Sequence, residues 1–262
     1  MYPRIAYVTS APDTDLPLAL AAFERARLDA QPVAWDADVA WDDFDLVLVR
    51  CAGDRRQDFL RWARAVEEET LLANPALILA KTSDRTYLRD LGRRGVPTVP
   101  TVWFEPGDVA AECKQALAAT GWAGFVVTPN VGGATMRLDD AAAAALRAAE
   151  LAGRGAVALI QPDLPDAQRL SLIVLGGQLS HAVVGGTGDL PDLADLLPEL
   201  LRLASEDEDL LYGRFDLVFY EGQWLLAAFD ATGAQLFLDA DPQAADRLAR
   251  AVRTRLSPPV LD

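Results

Sequence analysis

The side chains that could carry acid, base or metal chemistry are few in this sequence and lie far apart. His181 is the only histidine, which excludes a metal site with two histidines and a mechanism that needs two. It is interpreted either as a half-buried sheet residue or as a ligand contact. Ser180 precedes it on a predicted strand, where neighbouring side chains point to opposite faces, so a Ser–His catalytic pair is not expected.

The common phosphate-binding motifs are absent. The sequence has neither the glycine-rich loop of P-loop enzymes nor the glycine fingerprint of dinucleotide-binding folds. The glycine pairs at 176–177 and 185–186 are interpreted as turns. Lys81 and Lys114 are the only lysines, so nearly every cation available to bind a phosphate is an arginine.

Composition indicates a globular protein with an acidic surface. The 262 residues carry 24 basic and 39 acidic side chains, a formal net charge of −15, which disfavours binding to nucleic acid or to anionic membranes. Cys51 and Cys113 are unclustered, so they suggest neither a disulfide framework nor a zinc site. No apolar run reaches the roughly 18 residues of a membrane span, and no signal peptide is recognisable. These features predict a cytoplasmic protein.

Hydrophobic periodicity predicts three lobes. Residues 1–80 alternate short apolar strands with amphipathic helices, the βαβ spacing of a parallel sheet. Residues 81–155 are predicted to form a small α+β lobe. Residues 156–262 carry hairpin signals at Gly176-Gly177 and Glu221-Gly222 and are predicted to form an antiparallel sheet with helices, one of them at 193–206. The predicted fold class is therefore α/β with a C-terminal antiparallel sheet.

The order of these segments resembles the ATP-grasp superfamily over nearly the whole chain. The resemblance is strongest to small ligases of the prokaryotic glutathione synthetase and D-cycloserine-biosynthesis type. It rests on short sequence pieces that follow one another in the family's order, at 44–50, 59–62, 74–75, 83–88, 95–101, 126–129, 161–165, 180–183, 211–218 and 236–238. The resemblance implies an ATP-grasp fold in which ATP binds between two lobes.

The family's chemistry uses ATP and Mg²⁺ to form an acyl phosphate, which an amine attacks to give an amide-type bond. The resemblance implies the following roles: Arg214 as a catalytic residue; Arg85, Thr128, Gln161, Asp163 and Leu164 in nucleotide binding; Asp216 and Asp230 as metal ligands; and Arg50, Asp54 and His181 in substrate binding. An alternative interpretation is that Asp216 and Asp230 are solvated carboxylates of a sheet without a metal. In that case Arg214 would form an ion pair with one of them.

Two substitutions remove charges that the family's site requires. Thr128 stands where the family has a phosphate-binding lysine, and Ala228 stands where it has the central metal-bridging glutamate. The family's Asp-Lys is Asp84-Arg85, and its Glu-Pro is Gly233-Ala234. Since one charge-assisted contact contributes about 1.5–3 kcal/mol, the sequence predicts weak or undetectable binding of MgATP.

Three functional hypotheses follow. The first is a degenerate ATP-grasp protein that acts by binding a small molecule or a protein partner. The second is an active carboxylate–amine ligase in which Arg85, Arg137 and Arg169 cover the phosphates. The third is a small-molecule binding protein that uses Arg50 and Asp54 without ATP. The identity of the partner and the existence of a homodimer stay open.

Overall fold

The computed structural model describes residues 1–9, 13–51, 55–185, 200 and 210–257. The chain divides into two compact units, the first formed by 1–83, 168–217 and 228–262 and the second by 84–167 and 218–227. Asp54 and, apart from Leu200, the predicted helix at 193–206 lie outside the described residues. The predicted lobe boundaries at 80 and 155 stay a prediction.

Twelve strands and seven helices are found in the described residues. The strands are β1 (Arg4–Val8), β2 (Asp29–Val33), β3 (Leu46–Val49), β4 (Leu71–Ala73), β5 (Val102–Phe104), β6 (Phe125–Pro129), β7 (Met136–Leu138), β8 (Ala158–Pro162), β9 (Arg169–Leu175), β10 (Gln178–Gly185), β11 (Tyr212–Tyr220) and β12 (Gln223–Asp230). The helices are α1 (Leu16–Arg25), α2 (Arg56–Glu69), α3 (Ala76–Thr82), α4 (Tyr87–Arg93), α5 (Ala110–Ala119), α6 (Ala141–Ala152) and α7 (Ala244–Leu256).

The first unit begins with the predicted parallel sheet, in the order β2-β1-β3-β4. Successive residues of β1 enter two different cores: Ile5 and Tyr7 pack on one side of the sheet, and Ala6 and Val8 on the other. A parallel sheet with both faces covered requires such uninterrupted apolar strands, and β1 and β3 have them. The predicted parallel N-terminal α/β lobe is confirmed.

A second sheet has the order β10-β9-β11-β12. Its two hairpins turn at the predicted positions. Gly176 and Gly177 have φ of 57° and 73°, and Glu221 and Gly222 have φ of 50° and 84°. Two consecutive positive φ angles match the right-handed twist of the flanking strands, which explains the glycines in both turns. The predicted C-terminal antiparallel sheet is confirmed.

The second unit is built on an antiparallel sheet in the order β5-β8-β6-β7. Helices α5 and α6 pack on it through Cys113, Leu117 and the buried alanines of α6. Asp140 begins α6, because its carboxylate accepts hydrogen bonds from the backbone amides of Ala142 and Ala143. This arrangement is the predicted small α+β lobe.

Among the described residues, no helix combines the length and the apolar character needed to cross a membrane.

Candidate functional site

One face of the hairpin β11–β12 carries the two predicted metal ligands. The rings of Phe215 and Phe229 stack with centroids 4.5 Å apart, so both point to the same face of the sheet. Gly213 lies on that face too, since a Cβ there would come within 2.8 Å of the Phe229 ring. Side chains alternate along strands, so the opposite face carries Arg214, Asp216, Ala228 and Asp230. These four residues are called the carboxylate face below.

Both carboxylates of this face have partners in the first unit. Asp216 accepts a hydrogen bond from Ser171 Oγ at 2.6 Å and forms an ion pair with Arg214 at 3.0 Å. Asp230 Oδ1 accepts the backbone amides of Thr232 and Gly233, at 2.9 and 3.1 Å. Ala228 contributes no donor atom between them. Within the described part of the chain, no three histidine, cysteine, aspartate or glutamate side chains lie close enough together to hold a metal ion.

Arg214, the predicted catalytic residue, is held from two sides. Its Nε and Nη2 both lie near Asp216 Oδ2, at 3.1 and 3.0 Å. Nη1 donates to the carbonyl of Gln235 at 3.2 Å, and the guanidinium lies 5.9 Å from the centre of the Phe237 ring. The arrangement is the ion pair with a sheet carboxylate that the sequence left open, and its catalytic role stays a prediction.

Asn74 positions the start of β11, a role that sequence reasoning missed. It is fully buried, and its amide nitrogen donates to the carbonyls of Tyr212 and Ala231 at 2.8 and 2.7 Å. Its oxygen accepts the backbone amide of Leu211 at 2.7 Å. The Asn74-Pro75 dipeptide was visible in the sequence, but its partners lie about 140 residues further along the chain.

Thr128, which stands at the position of the family's lysine, lies on β6 in the second unit. Val127 is fully buried in the core of that unit, whereas the Thr128 side chain leaves the opposite face of the strand. The Thr128 side chain therefore points away from the core that contains Val127. The Thr128 hydroxyl lies 3.1 Å from that of Thr135. Thr128 is therefore a buried neutral side chain with a local hydrogen-bond partner.

The other predicted nucleotide-binding residues also have partners within the second unit. Arg85 Nη1 donates to the Pro129 carbonyl at 3.2 Å, which places its charge at the end of β6. Gln161 Nε2 donates to Thr101 Oγ1 at 3.0 Å, and Asp163 lies 3.4 Å from Arg137 Nε. Leu164 packs half-buried against the apolar cluster of Val99, Val218 and Leu225. Thr128 pairs with Leu159 and Phe125 with Pro162, so Thr128 and Asp163 lie at opposite ends of the β6–β8 ladder.

Arg50, a predicted substrate residue, lies in a buried polar cluster of the first unit. Its side chain is 1% exposed, and Nη2 pairs with Asp15 Oδ2 at 3.0 Å. Nε donates to the Tyr7 hydroxyl at 3.3 Å, and the guanidinium stacks 4.7 Å from the centre of the Tyr212 ring. Burial raises the pKa of both tyrosines, which keeps the phenols neutral. Asp15 therefore supplies the negative charge in direct contact with Arg50.

The Asp15 carboxylate also anchors the chain after β12. Its Oδ2 accepts the backbone amide of Leu236 at 2.6 Å, and its Oδ1 accepts that of Leu238 at 3.0 Å. One nitrogen of the cluster, Arg50 Nη1, is buried without a hydrogen-bond partner in the described structure. A buried unpaired donor of this kind is usually satisfied by a water molecule or a ligand.

His181 is a buried sheet residue with two carbonyl partners. Its Nε2 lies 2.9 Å from the Leu236 carbonyl and 3.2 Å from that of Phe237, so Nε2 carries the proton. Its Nδ1 lies 2.9 Å from Ser180 Oγ, which in turn accepts from Arg247 Nε at 2.8 Å. The neutral imidazole is thus a structural link between β10 and the chain after β12.

Ser180 and His181 are in contact, although the alternation of side chains along a strand would place them on opposite faces. The ladder between β9 and β10 shifts register between Leu179 and His181, and a bulge of this kind breaks the alternation of side chains. The pair is nevertheless no catalytic dyad of the serine-hydrolase type. The histidine nitrogen facing away from Ser180 contacts backbone carbonyls instead of an orienting carboxylate.

The position of His181 predicts a specific pH dependence of stability. Burial lowers the pKa of His181 below the ordinary 6.5, and the positive charge of Arg247 lowers it further. The hydrogen bonds to the two backbone carbonyls and the charge of Asp241 raise this pKa, but they offset only part of the shift. As the pH falls, the imidazole of the unfolded chain therefore takes up a proton before that of the folded chain. The contribution of neutral His181 to the free energy of unfolding is complete above pH 6.5 and declines as the pH falls below this value. Urea denaturation at pH 7.5, 6.5 and 5.5 should show this decline, and His181→Gln should remove most of it. An unchanged decline in the variant would assign the effect to carboxylates.

Comparisons with known proteins identify the fold. A family model described as the N-terminal domain of the D-cycloserine synthetase DcsG matches residues 5–74. The cycloserine biosynthesis protein DcsG of Streptomyces lavendulae is 29% identical over 94% of this chain and 95% of its own length. The crystal structure of D-cycloserine synthetase DcsG superposes with a TM-score of 0.85 at 26% identity, over 97% of this chain and 100% of that one. The chain has the ATP-grasp fold.

More distant ATP-grasp structures share the architecture. A RimK domain protein from Sphaerobacter thermophilus matches with a TM-score of 0.75 at 19% identity, over 95% of this chain and 99% of that one. D-alanine–D-alanine ligase from Bacillus anthracis, solved with ATP, matches with a TM-score of 0.72 at 13% identity, over 97% of both chains. The ATP-grasp fold thus extends over nearly the whole chain.

Proposed function

We propose that this protein is an ATP-grasp pseudo-ligase, which keeps the fold of a carboxylate–amine ligase and acts by binding a small molecule or a protein partner. The observation that carries the proposal is the carboxylate face of β11–β12. Ala228 shares that face with two carboxylates, and one of these, Asp216, forms an ion pair with Arg214 at 3.0 Å. A Mg²⁺ ion needs several oxygen ligands, usually carboxylates that are free to face it.

The second unit supports the same proposal. Thr128 offers a neutral hydroxyl, already bonded to Thr135, where the ligases resembled by this chain have a lysine. Removing a preorganised charge from a site of phosphoryl transfer typically costs on the order of 10²–10³ in rate. The donors present therefore do not fit a magnesium–triphosphate group of the family's kind.

Calorimetric titration with MgATP tests the proposal directly. We expect no binding heat up to millimolar nucleotide, and no rise in the unfolding temperature, because a ligand stabilises the folded state only when its concentration exceeds its Kd. D-alanine–D-alanine ligase is a suitable positive control in the same buffer. A magnesium-dependent Kd in the low micromolar range would refute the pseudo-ligase proposal.

An active ATP-dependent carboxylate–amine ligase is the second candidate. It is favoured by the match to DcsG, which extends over 94% of this chain at 29% identity. In this case cations such as Arg85, at the end of β6, would replace the missing lysine. ADP release in the presence of amino-acid acceptors, lost on Arg85→Gln, would establish this alternative.

The partners and the compartment belong to the same proposal. The net charge of −15 argues for a partner other than nucleic acid or an anionic membrane. The two cysteines are both buried and form no disulfide, as suits a reducing, cytoplasmic setting.

A further inference from the structure

A pocket of about 950 Å³ opens in the first unit, between the β9–β10 turn and helix α7. Its apolar lining comes from Leu71, Leu175, Leu179, Leu210, Leu211 and Ala251. The turn approaches the helix closely, since a Cβ on Gly176 would lie 3.3 Å from the Cβ of Ala251. The pocket has the size of a typical small-molecule site.

The charged residues in the described lining of the pocket are all basic, whereas the protein as a whole is acidic. Its described lining includes Arg247, Arg250 and Arg255 and contains no aspartate or glutamate. The chain as a whole has 39 acidic and 24 basic residues, so a described lining whose charged residues are all arginines departs from the composition of the protein. Such a local concentration of positive charge attracts anions.

Two of the arginines differ in how much of their charge is compensated. Arg247 is fixed by its bond to Ser180 and by an ion pair with Asp241 Oδ2 at 2.7 Å. Arg250, three residues further along α7 and therefore on the same side of the helix, is exposed and forms no ion pair with any described residue. Arg250 thus brings an uncompensated charge next to a guanidinium that is already held in place.

We propose that this pocket binds a small organic anion, with a carboxylate or phosphate group on an apolar body. The guanidinium groups can pair with two oxygens of such an anionic group, and the leucines cover the apolar body. The Thr254 hydroxyl on the same lining provides a further hydrogen-bond donor. The proposal holds whether or not the protein binds ATP.

Four probes separate the contributions to binding. Hexyl phosphate and hexanoate each carry an anionic group and an apolar chain, inorganic phosphate has the charge alone, and 1-hexanol has the chain alone. We expect the two amphiphilic anions to bind at least about tenfold more tightly than inorganic phosphate, because their hexyl and pentyl chains bury apolar surface against the leucines. The tighter of the two anions identifies the head group. Equal binding of hexanol and both anions would overturn the proposal.

His181 provides a site-specific reporter of binding. It is the only histidine, and the positive charge of Arg247 lowers its pKa. An anion bound at Arg247 should therefore raise the pKa of the single imidazole in an NMR titration with hexyl phosphate. Binding that leaves this pKa unchanged would place the anion elsewhere and contradict the proposal.

Arg250→Gln is the decisive variant, and Arg64→Gln is its matched control. Both arginines are exposed on helices of the first unit, and neither forms an ion pair with a described residue. Arg250→Gln should weaken hexyl phosphate binding roughly tenfold or more, whereas Arg64→Gln should leave it unchanged. An equal effect of both variants would indicate non-specific charge attraction. A change in oligomeric state without a change in affinity would mark the pocket as a contact between copies, and either result refutes the proposal.

Discussion

Replacing Asp15 by alanine is expected to lower the free energy of unfolding by about 4 kcal/mol or more. The change removes the charged partner of Arg50, whose side chain is 1% exposed, and leaves a buried guanidinium uncompensated. It also removes the acceptor of two backbone amides, those of Leu236 and Leu238. Each buried donor left without a partner adds about 1–3 kcal/mol to the loss. Urea denaturation followed by tryptophan fluorescence measures the effect.

The exposed ion pair of Arg25 and Asp246 provides the matched control. It lies in the same unit with a separation of 2.6 Å, but its side chains are 60% and 43% exposed. Asp246→Ala should therefore cost less than about 1 kcal/mol. If Asp15→Ala does not fold, Asp15→Asn retains one carbonyl oxygen as an acceptor and should give a measurable, smaller loss. Similar losses for Asp15→Asn and Asp246→Ala would show that the buried cluster contributes no special stability.

Restoring the two missing charges is expected to raise the affinity for MgATP more than additively. Thr128→Lys supplies a cation on the face of β6 that points away from the core of the second unit. It should improve ATP binding about tenfold, which is the typical contribution of one charge-assisted hydrogen bond. Ala228→Glu places a third carboxylate beside Asp216 and Asp230 on the carboxylate face. In the family that this chain resembles, the lysine and the metal act on one phosphate–metal group. The double variant is therefore expected to gain more than the product of the two single gains.

Equilibrium dialysis with labelled ATP, with and without Mg²⁺, measures these affinities even when they are weak. Leu146→Lys is the control for net charge, since Leu146 is 62% exposed on α6 of the same unit and lies outside the predicted nucleotide positions. It should leave ATP binding unchanged. If the double variant gains no more than Leu146→Lys, the assignment of Thr128 and Ala228 to the ancestral lysine and glutamate positions is wrong.

The sequence by itself determined the elements whose signals are local. Uninterrupted apolar strands predicted the parallel sheet, and Gly176-Gly177 and Glu221-Gly222 marked both hairpins, because only a few residues tolerate consecutive positive φ angles. The ordered succession of such segments was enough to indicate the ATP-grasp fold. The resemblance to the ATP-grasp family also pointed to Thr128 and Ala228 as positions where a charged residue is missing, because the residue type alone shows that neither side chain is charged.

Only the tertiary structure decided which polar groups meet. Asp15 contacts the amide of Leu236, 221 residues away, and Asn74 holds the start of β11 from 138 residues away. Periodicity records which face of an element is apolar, but it contains no information on the partner that a buried polar group finds across the fold. The contact of Ser180 with His181 required a bulge in one ladder, and the arginine-lined pocket required the β9–β10 turn to pack on α7. Both depend on the packing of distant segments, which no local pattern encodes.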